Sequence, residues 1–245
     1  MFSPPLNAHY QHFNLDGQKA ARVFAVTNAP MVINLFRSVD YVFGDDYSFA
    51  DRYDAQEDYF TNPGQHLGIR RWETNFVPDV RSFKLDDYHE RGADGNNMRI
   101  RLANNQMECH ISEFPPGTYK KGHKHGVGAH VLILNGVGYS LLWFDGGEPR
   151  KVDWKDGSVL SPKEMEYHQH FNTGQDRARY LALRLGNLDR TGNEGRDGLP
   201  RSTISEREGG WQIDYEDEAP GVYDLYAREC AKHGATVALD RKSVV

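Results

Sequence analysis

In the second half of the chain, apolar side chains recur at every other position in short runs, and each run is cut by Gly, Pro, Asn or Asp. The runs are Met98–Leu102, Met107–Phe114, His130–Leu134, Tyr139–Phe144, Ser158–Ser161 and Tyr180–Leu185. A period of two sends successive side chains to opposite faces of a strand. Closely spaced strands joined by turn residues therefore predict an antiparallel sandwich or barrel. The first hundred residues are less regular. Arg22–Thr27 and Met31–Phe36 are expected as short strands interrupted at Pro30, and Ile69–Phe76 as another that ends before Pro78. Tyr41–Tyr53 is rich in tyrosine and acid and follows neither period. Its rings are expected to pack against the sheet, with a lid over a site as the second reading. Arg91–Asn97 reads as a loop by composition. Gly186–Gly210 is polar and aperiodic, which predicts an exposed, mobile loop. Trp211–Tyr215 suits a short strand. A helix follows, with Pro220 in its first turn, Val222, Leu225, Tyr226 and Cys230 on or near one face, and Gly234 at its stop.

A chain of 245 residues with 38% hydrophobic and 12% aromatic content can bury one sizeable core. No internal repeat supports a duplicated barrel. The expected division is residues 1–100 as an N-terminal extension packed on the barrel, 101–190 as the barrel core, and 191–245 as a loop with a C-terminal strand and helix. A net charge of -6 excludes the basic footprint of a nucleic-acid or anionic-membrane binder, leaving a small-molecule substrate as the expected partner. The first residues carry no secretory pattern and no apolar run reaches the length of a bilayer, so a cytoplasmic location is expected. Cys109 and Cys230 lie far apart and are expected as free thiols, with Cys109 in the core. Exposed sheet edges and apolar faces predict a homo-oligomer.

The chemistry concentrates in two segments. After the turn at Pro116-Gly117 comes His123-Lys124-His125. In an extended chain residues i and i+2 share a face, so both imidazoles can reach one ion while Lys124 points away. Further on, Asp156–Pro162 leads to His168-Gln169-His170-Phe171-Asn172. His123, His125 and His168 together supply three neutral nitrogen ligands and would leave open positions on an octahedral metal, as catalysis requires. His170 shares the parity of His168. Its role is either to hydrogen-bond substrate or shuttle a proton, as the catalytic residue, or to orient His168 from behind. Asn172 is expected to fix a turn. Tyr119, Tyr139, Trp143 and Arg184 are read as core or surface. If Ala129 faces the metal, alternation turns His130 to the outer face and Val131 and Ile133 inward. Gly126-Val-Gly128 and Gly136-Val-Gly138 are too short for phosphate loops, no Gly-x-Ser-x-Gly elbow occurs, and the acids from Asp214 to Glu218 read as solvated.

The two segments resemble the two motifs of the cupin superfamily. The first motif of that family is a Gly, five residues, His-x-His, three or four residues, usually Glu, then six residues and a Gly. Gly117, His123, His125 and Gly136 match it, and Ala129 stands at the Glu position. Within the superfamily this pattern is similar to gentisate dioxygenase and related ring-cleaving enzymes, on His123, His125, Ala129, His168, His170 and Asn172. Gly136-Val-Gly-Tyr-Ser140 with Asp145-Gly146 resembles their strand-turn unit. The similarity spans roughly residues 107 to 186. Those enzymes usually carry two such domains, whereas this chain shows motifs for one.

The resemblance implies an all-β, cupin-type antiparallel jelly-roll barrel with an N-terminal extension and a C-terminal helix. It implies a divalent metal, Fe(II) first, with Zn, Mn or Ni as alternatives, and an enzyme using O2 on a small hydroxylated aromatic or diketone-like substrate. A neutral ligand set leaves the ion its full double charge and favours a chelating anionic substrate. The competing readings are a metal-assisted lyase, isomerase or hydrolase, and a cupin that binds a small ligand without turning it over.

Overall fold

The structure is a computed structural model and describes residues 1–103, 107–126, 128–185 and 200–239. In chain order its elements are α1 (Ala29–Phe36), α2 (Val39–Gly44), β1 (Gln65–His66), β2 (Arg71–Thr74), β3 (Asp86–Tyr88), β4 (Gly95–Leu102), β5 (Met107–Phe114), β6 (His130–Asn135), β7 (Val137–Trp143), β8 (Arg150–Lys155), β9 (Val159–Leu160), β10 (Tyr167–Asn172), β11 (Ala178–Leu185) and α3 (Val222–Lys232). The larger sheet runs β1-β2-β4-β5-β11-β6-β9, with β3 also paired to β4, and the smaller runs β10-β7-β8. The pairings are antiparallel except β2 with β4, which is parallel.

Alternation sorts the side chains of the larger sheet into two environments. Met98, Ile100, Leu102, Cys109, Ile111, Leu134 and Leu181 form one cluster, over which Val77, Met1, Val80, Phe83 and Leu85 pack. On the opposite face Phe114, Ala129, Val131, Ile133, Tyr180 and Ala182 meet Trp154 of the smaller sheet, so the two sheets face each other there. The far side of the smaller sheet is aromatic. Tyr139 and Phe171 stack with centroids 4.4 Å apart, and Tyr119 stacks on Phe171 at 4.8 Å. Tyr226 and Cys230 of α3 complete that cluster, so the helix lies over this face and not over the site between the sheets. Offset ring stacks of this kind add roughly 0.5–1.5 kcal/mol each beyond the area they bury. Gly138 of β7 has no room for a side chain between its neighbours β10 and β8: a Cβ there would lie 2.0 Å from the Phe171 carbonyl and 2.5 Å from the Trp154 ring.

The N-terminal expectations need correction. Arg22–Thr27 forms no strand, and Met31–Phe36 belongs to α1. Pro30 opens that helix instead of separating strands, because its missing N–H falls where a helix has no acceptor for it. Tyr41 lies in α2, whose first turn is capped by Ser38 Oγ accepting from Tyr41 N at 3.2 Å. Neither helix buries a residue, and of the rings in Tyr41–Tyr53, Tyr41, Phe43 and Tyr47 are exposed, while Phe49 is half-buried and half-buried Tyr53 lies against Tyr59. The expected loop Arg91–Asn97 is strand from Gly95 onward, paired to β3. Trp211–Tyr215 forms no strand: Gln212 makes isolated bridges to His123 and Ser205, and a short 3-10 turn covers Tyr215–Asp217. Residues 186–199 of the expected mobile loop lie outside the described residues, while 201–203 and 206–208 are 3-10 turns. Both cysteines are free and buried, and burial pushes the Cys109 thiol up to about 12, as suits a core position. Among the described residues no helix is long and apolar enough to cross a membrane.

Candidate metal centre

The turn before the histidines demands glycine. Gly117 has φ +70°, and a Cβ would lie 2.1 Å from the Thr236 carbonyl. From there the chain runs extended beside β10. Asn172 N donates to Thr118 O at 3.1 Å, Lys120 N to His170 O at 3.0 Å, and His123 N to His168 O at 3.1 Å, with His168 N returning to His123 O at 2.9 Å. The two ligand-bearing segments are thus hydrogen-bonded to each other at the ligands themselves. Alternation does the rest: Lys124 points away, its Nζ 2.7 Å from Asp145 and over the Tyr167 ring at 4.3 Å.

His123, His125 and His168 are buried, and one nitrogen from each falls within 4.8 Å of the other two. Their ring centroids are 4.2, 4.9 and 5.8 Å apart. His168 Nδ1 lies 3.0 Å from the Glu166 carbonyl, and His123 Nδ1 lies 3.4 Å from that of Lys121. A carbonyl can only accept, so Nδ1 carries the hydrogen in both rings and Nε2 keeps its lone pair for an ion. Burial pulls the His168 imidazole down to about 4, with Arg91 adding to it and the Glu166 carbonyl opposing. Burial likewise holds His123 well below its ordinary value, helped by Arg91 and the neighbouring histidines. All of this keeps the rings neutral near pH 7, which is the form that ligates. By donor type, burial and spacing the set fits a divalent metal.

The other expected positions are also accounted for. Ala129 is buried in the cluster between the sheets with Val131 and Ile133. His130 is exposed and its Nδ1 meets Ser161 Oγ at 2.8 Å, outside the metal-capable group. His170 is buried with its Nδ1 2.7 Å from Ser140 Oγ. Trp154 Nε1 donates to the same hydroxyl at 3.0 Å, so Ser140 links the two rings and anchors His170 through Nδ1. Asn172 fixes the turn, its Oδ1 accepting from Gly174 N at 3.0 Å and its Nδ2 donating to the carbonyls of Pro115 and Asp176. Tyr119 and Tyr139 are core.

Arg184 is the correction. It is neither core nor free surface: it pairs with buried Glu108 and lines a cavity of about 60 Å³ beside the histidines. Arg70, Arg91, Arg99, His110 and Lys120 line the same cavity, as do His123 and His125. Apart from the ligands and Arg184, none of these cavity residues stands out in the sequence. The available signal was the alternation of Met98-Arg-Ile-Arg-Leu102, which must put its arginines on the face opposite its apolar residues. A larger cavity of about 370 Å³ lies between Val26–Met31 and the rim at Ala129, His130 and Arg184, and the three ligand histidines do not line it.

No protein-family model matches this chain, and no curated protein matches it. Solved structures similar to it include the cupin domain of Cnp3 from Schizosaccharomyces pombe, at 14% identity and TM-score 0.37, over 44% of this chain and 72% of that one. Rru_A2000 from Rhodospirillum rubrum, described as a cupin-2 domain, is similar at 18% identity and TM-score 0.37, over 44% and 72%. Oxalate decarboxylase from Lactobacillus farciminis, in a formate complex, is similar at 12% identity and TM-score 0.39, over 66% of this chain and 49% of that one. Each of these TM-scores is below 0.5, so the site is defined by this chain's own side chains. They make a sheet-built protein with a buried three-histidine set able to hold a divalent metal.

Proposed function

We propose that the chain is a metal-dependent dioxygenase in which His123, His125 and His168 hold Fe(II), acting on a small hydroxylated aromatic or diketone-like substrate. The observation that carries this reading is the buried and wholly neutral donor set, with Ala129 where a carboxylate would otherwise add charge. The bound ion would supply Lewis acidity toward a substrate oxygen and, as iron, redox access to O2. The chain supplies the rest. Trp154, Ile133 and Val131 on the walls between the sheets exclude water. His170, anchored through Nδ1 by Ser140, is proposed either to donate from Nε2 to a substrate oxygen or, with its hydrogen on Nδ1, to accept and return that oxygen's proton at Nε2. Burial pushes the Tyr180 phenol up to about 12, so it stays a donor across the working pH range.

The test is anaerobic loading with iron followed by an oxygen-uptake screen over catechols, gentisate-like acids and diketones. Uptake that tracks iron content and vanishes in His168→Ala is expected, and no uptake with any of these at full loading would overturn the reading. We also propose a homo-oligomer, supported by the large apolar side chains exposed between Phe13 and Tyr47.

A further inference from the structure

The chain carries a net charge of -6, yet five cationic side chains converge on the small cavity beside His123 and His125: Arg70, Arg91, Arg99, Lys120 and Arg184. Two of them have carboxylate partners. Arg70 Nη1 lies 2.7 Å from Glu90 Oε2, and Arg184 pairs with Glu108. The other three have none, and Arg91 and Lys120 are held by neutral groups. Arg91 Nη1 donates to the Ser202 carbonyl and, at 3.1 Å, to Gln212 Oε1. Lys120 Nζ donates to Ser112 Oγ and sits over the Phe114 and Tyr180 rings at 5.2 and 5.3 Å. Arg99 extends inward from β4, opposite His110 of β5. Among the described residues, no carboxylate reaches ion-pair distance of Arg91, Arg99 or Lys120; Glu108 and Glu113, each already paired with another arginine, offset the charge of Arg99 and Lys120 only from farther off.

Burying a cation with no directly paired counter-charge is costly, and three together are costlier because they repel one another. Burial, followed by the charge of Arg91, draws the Lys120 amine down to about 7. An arrangement this unfavourable in the empty protein becomes favourable when an anion enters. Guanidinium groups also match the planar, two-oxygen geometry of a carboxylate or the oxygens of a phosphate. A volume of about 60 Å³ admits one such group and not a ring.

We infer that Arg91, Arg99 and Lys120 form an oxyanion subsite beside His123 and His125, and that the substrate carries a carboxylate or phosphate group at the end remote from its metal-facing oxygens. This deepens the proposed function and rests on it only for where the rest of the substrate lies; the anion subsite itself needs no metal.

The experiment uses the metal-free full chain. Thermal unfolding and calorimetric titration are run with benzoate, with inorganic phosphate, and with neutral benzamide. Benzoate or phosphate is expected to raise the melting temperature and bind in a saturable way, and benzamide to do neither; which anion binds more tightly distinguishes a carboxylate from a phosphate substrate. Arg99→Met and Lys120→Met are expected to weaken anion binding at least tenfold, while Lys155→Met, on an exposed position of β8, leaves it unchanged. Lys120→Met keeps the packing and removes an unpaired buried charge, so its ligand-free melting temperature should hold or rise. Equal binding of benzamide, absence of binding by either anion, or unchanged affinity in both variants would overturn the subsite. These results are independent of oxygen uptake: a chain that binds anions but consumes no oxygen retains the subsite and loses the dioxygenase reading.

Discussion

Acidification of the metal-free protein from pH 7 to pH 5 should cost stability through the ligand histidines. His168 is buried, and burial lowers its imidazole to about 4, against about 6.5 for an unfolded chain. The folded value lies below the unfolded one, so between them the unfolded chain binds the extra proton. Stability is therefore full above about 6.5, falls as pH drops, and levels off below the folded value. One such group costs about 2 kcal/mol between pH 7 and pH 5. His110, His123 and His170 shift the same way, with burial the leading cause in each, so that figure is a floor. Urea unfolding at half-unit pH steps, with metal removed by a chelator, reads the effect, and His168→Gln should remove its share of the slope. Stability that stays flat from pH 7 to pH 5, or a slope unchanged in His168→Gln, would refute the claim that these rings are buried and neutral.

Three other outcomes are expected. His130→Ala should keep one metal per chain by elemental analysis, whereas His123→Ala, His125→Ala and His168→Ala should each lose most of it; a lost equivalent in His130→Ala would place that exposed ring at the ion after all. Gly138→Ala, which drives a methyl against the Phe171 carbonyl and the Trp154 ring, should destabilise by about 1–3 kcal/mol in urea unfolding. Light scattering should give a mass above the single-chain value of 27.9 kDa, and removal of residues 1–50 should return it to a monomer.

The strands of the sheets were legible because alternation and turn residues agree locally: Met107–Phe114 is β5 to the residue, and the runs from His130 and Tyr180 fall within β6 and β11. The ligand set was legible for the same reason, since parity along two strands decides which imidazoles share a face. Two things were not. Pro30 carries the same sequence signal whether it ends a strand or opens a helix, and the choice depends on what covers the segment, which a local pattern does not encode. The second is the direction of β4. Its apolar face packs beneath Met1, Val77 and Phe83, and Arg99 faces the small cavity beside His123 and His125. The assumption that an apolar face looks toward the middle of a barrel hides Arg99 from a sequence reading, and an extra layer on the outside of the sheet is what inverts it.

The reciprocal backbone hydrogen bonds between His123 and His168 bear on how the protein would acquire an ion. Many small metal domains fold only when the ion arrives, so the binding energy is spent on ordering the chain and a chelator unfolds them. Here the two coordinating segments are already fastened to each other by their main chains. An ion would therefore enter a vessel cast before it arrives, and little of its affinity would go to organising ligands. Exchange of one divalent metal for another should therefore proceed on the folded chain, so that the metal found in the isolated protein reflects supply as much as selectivity.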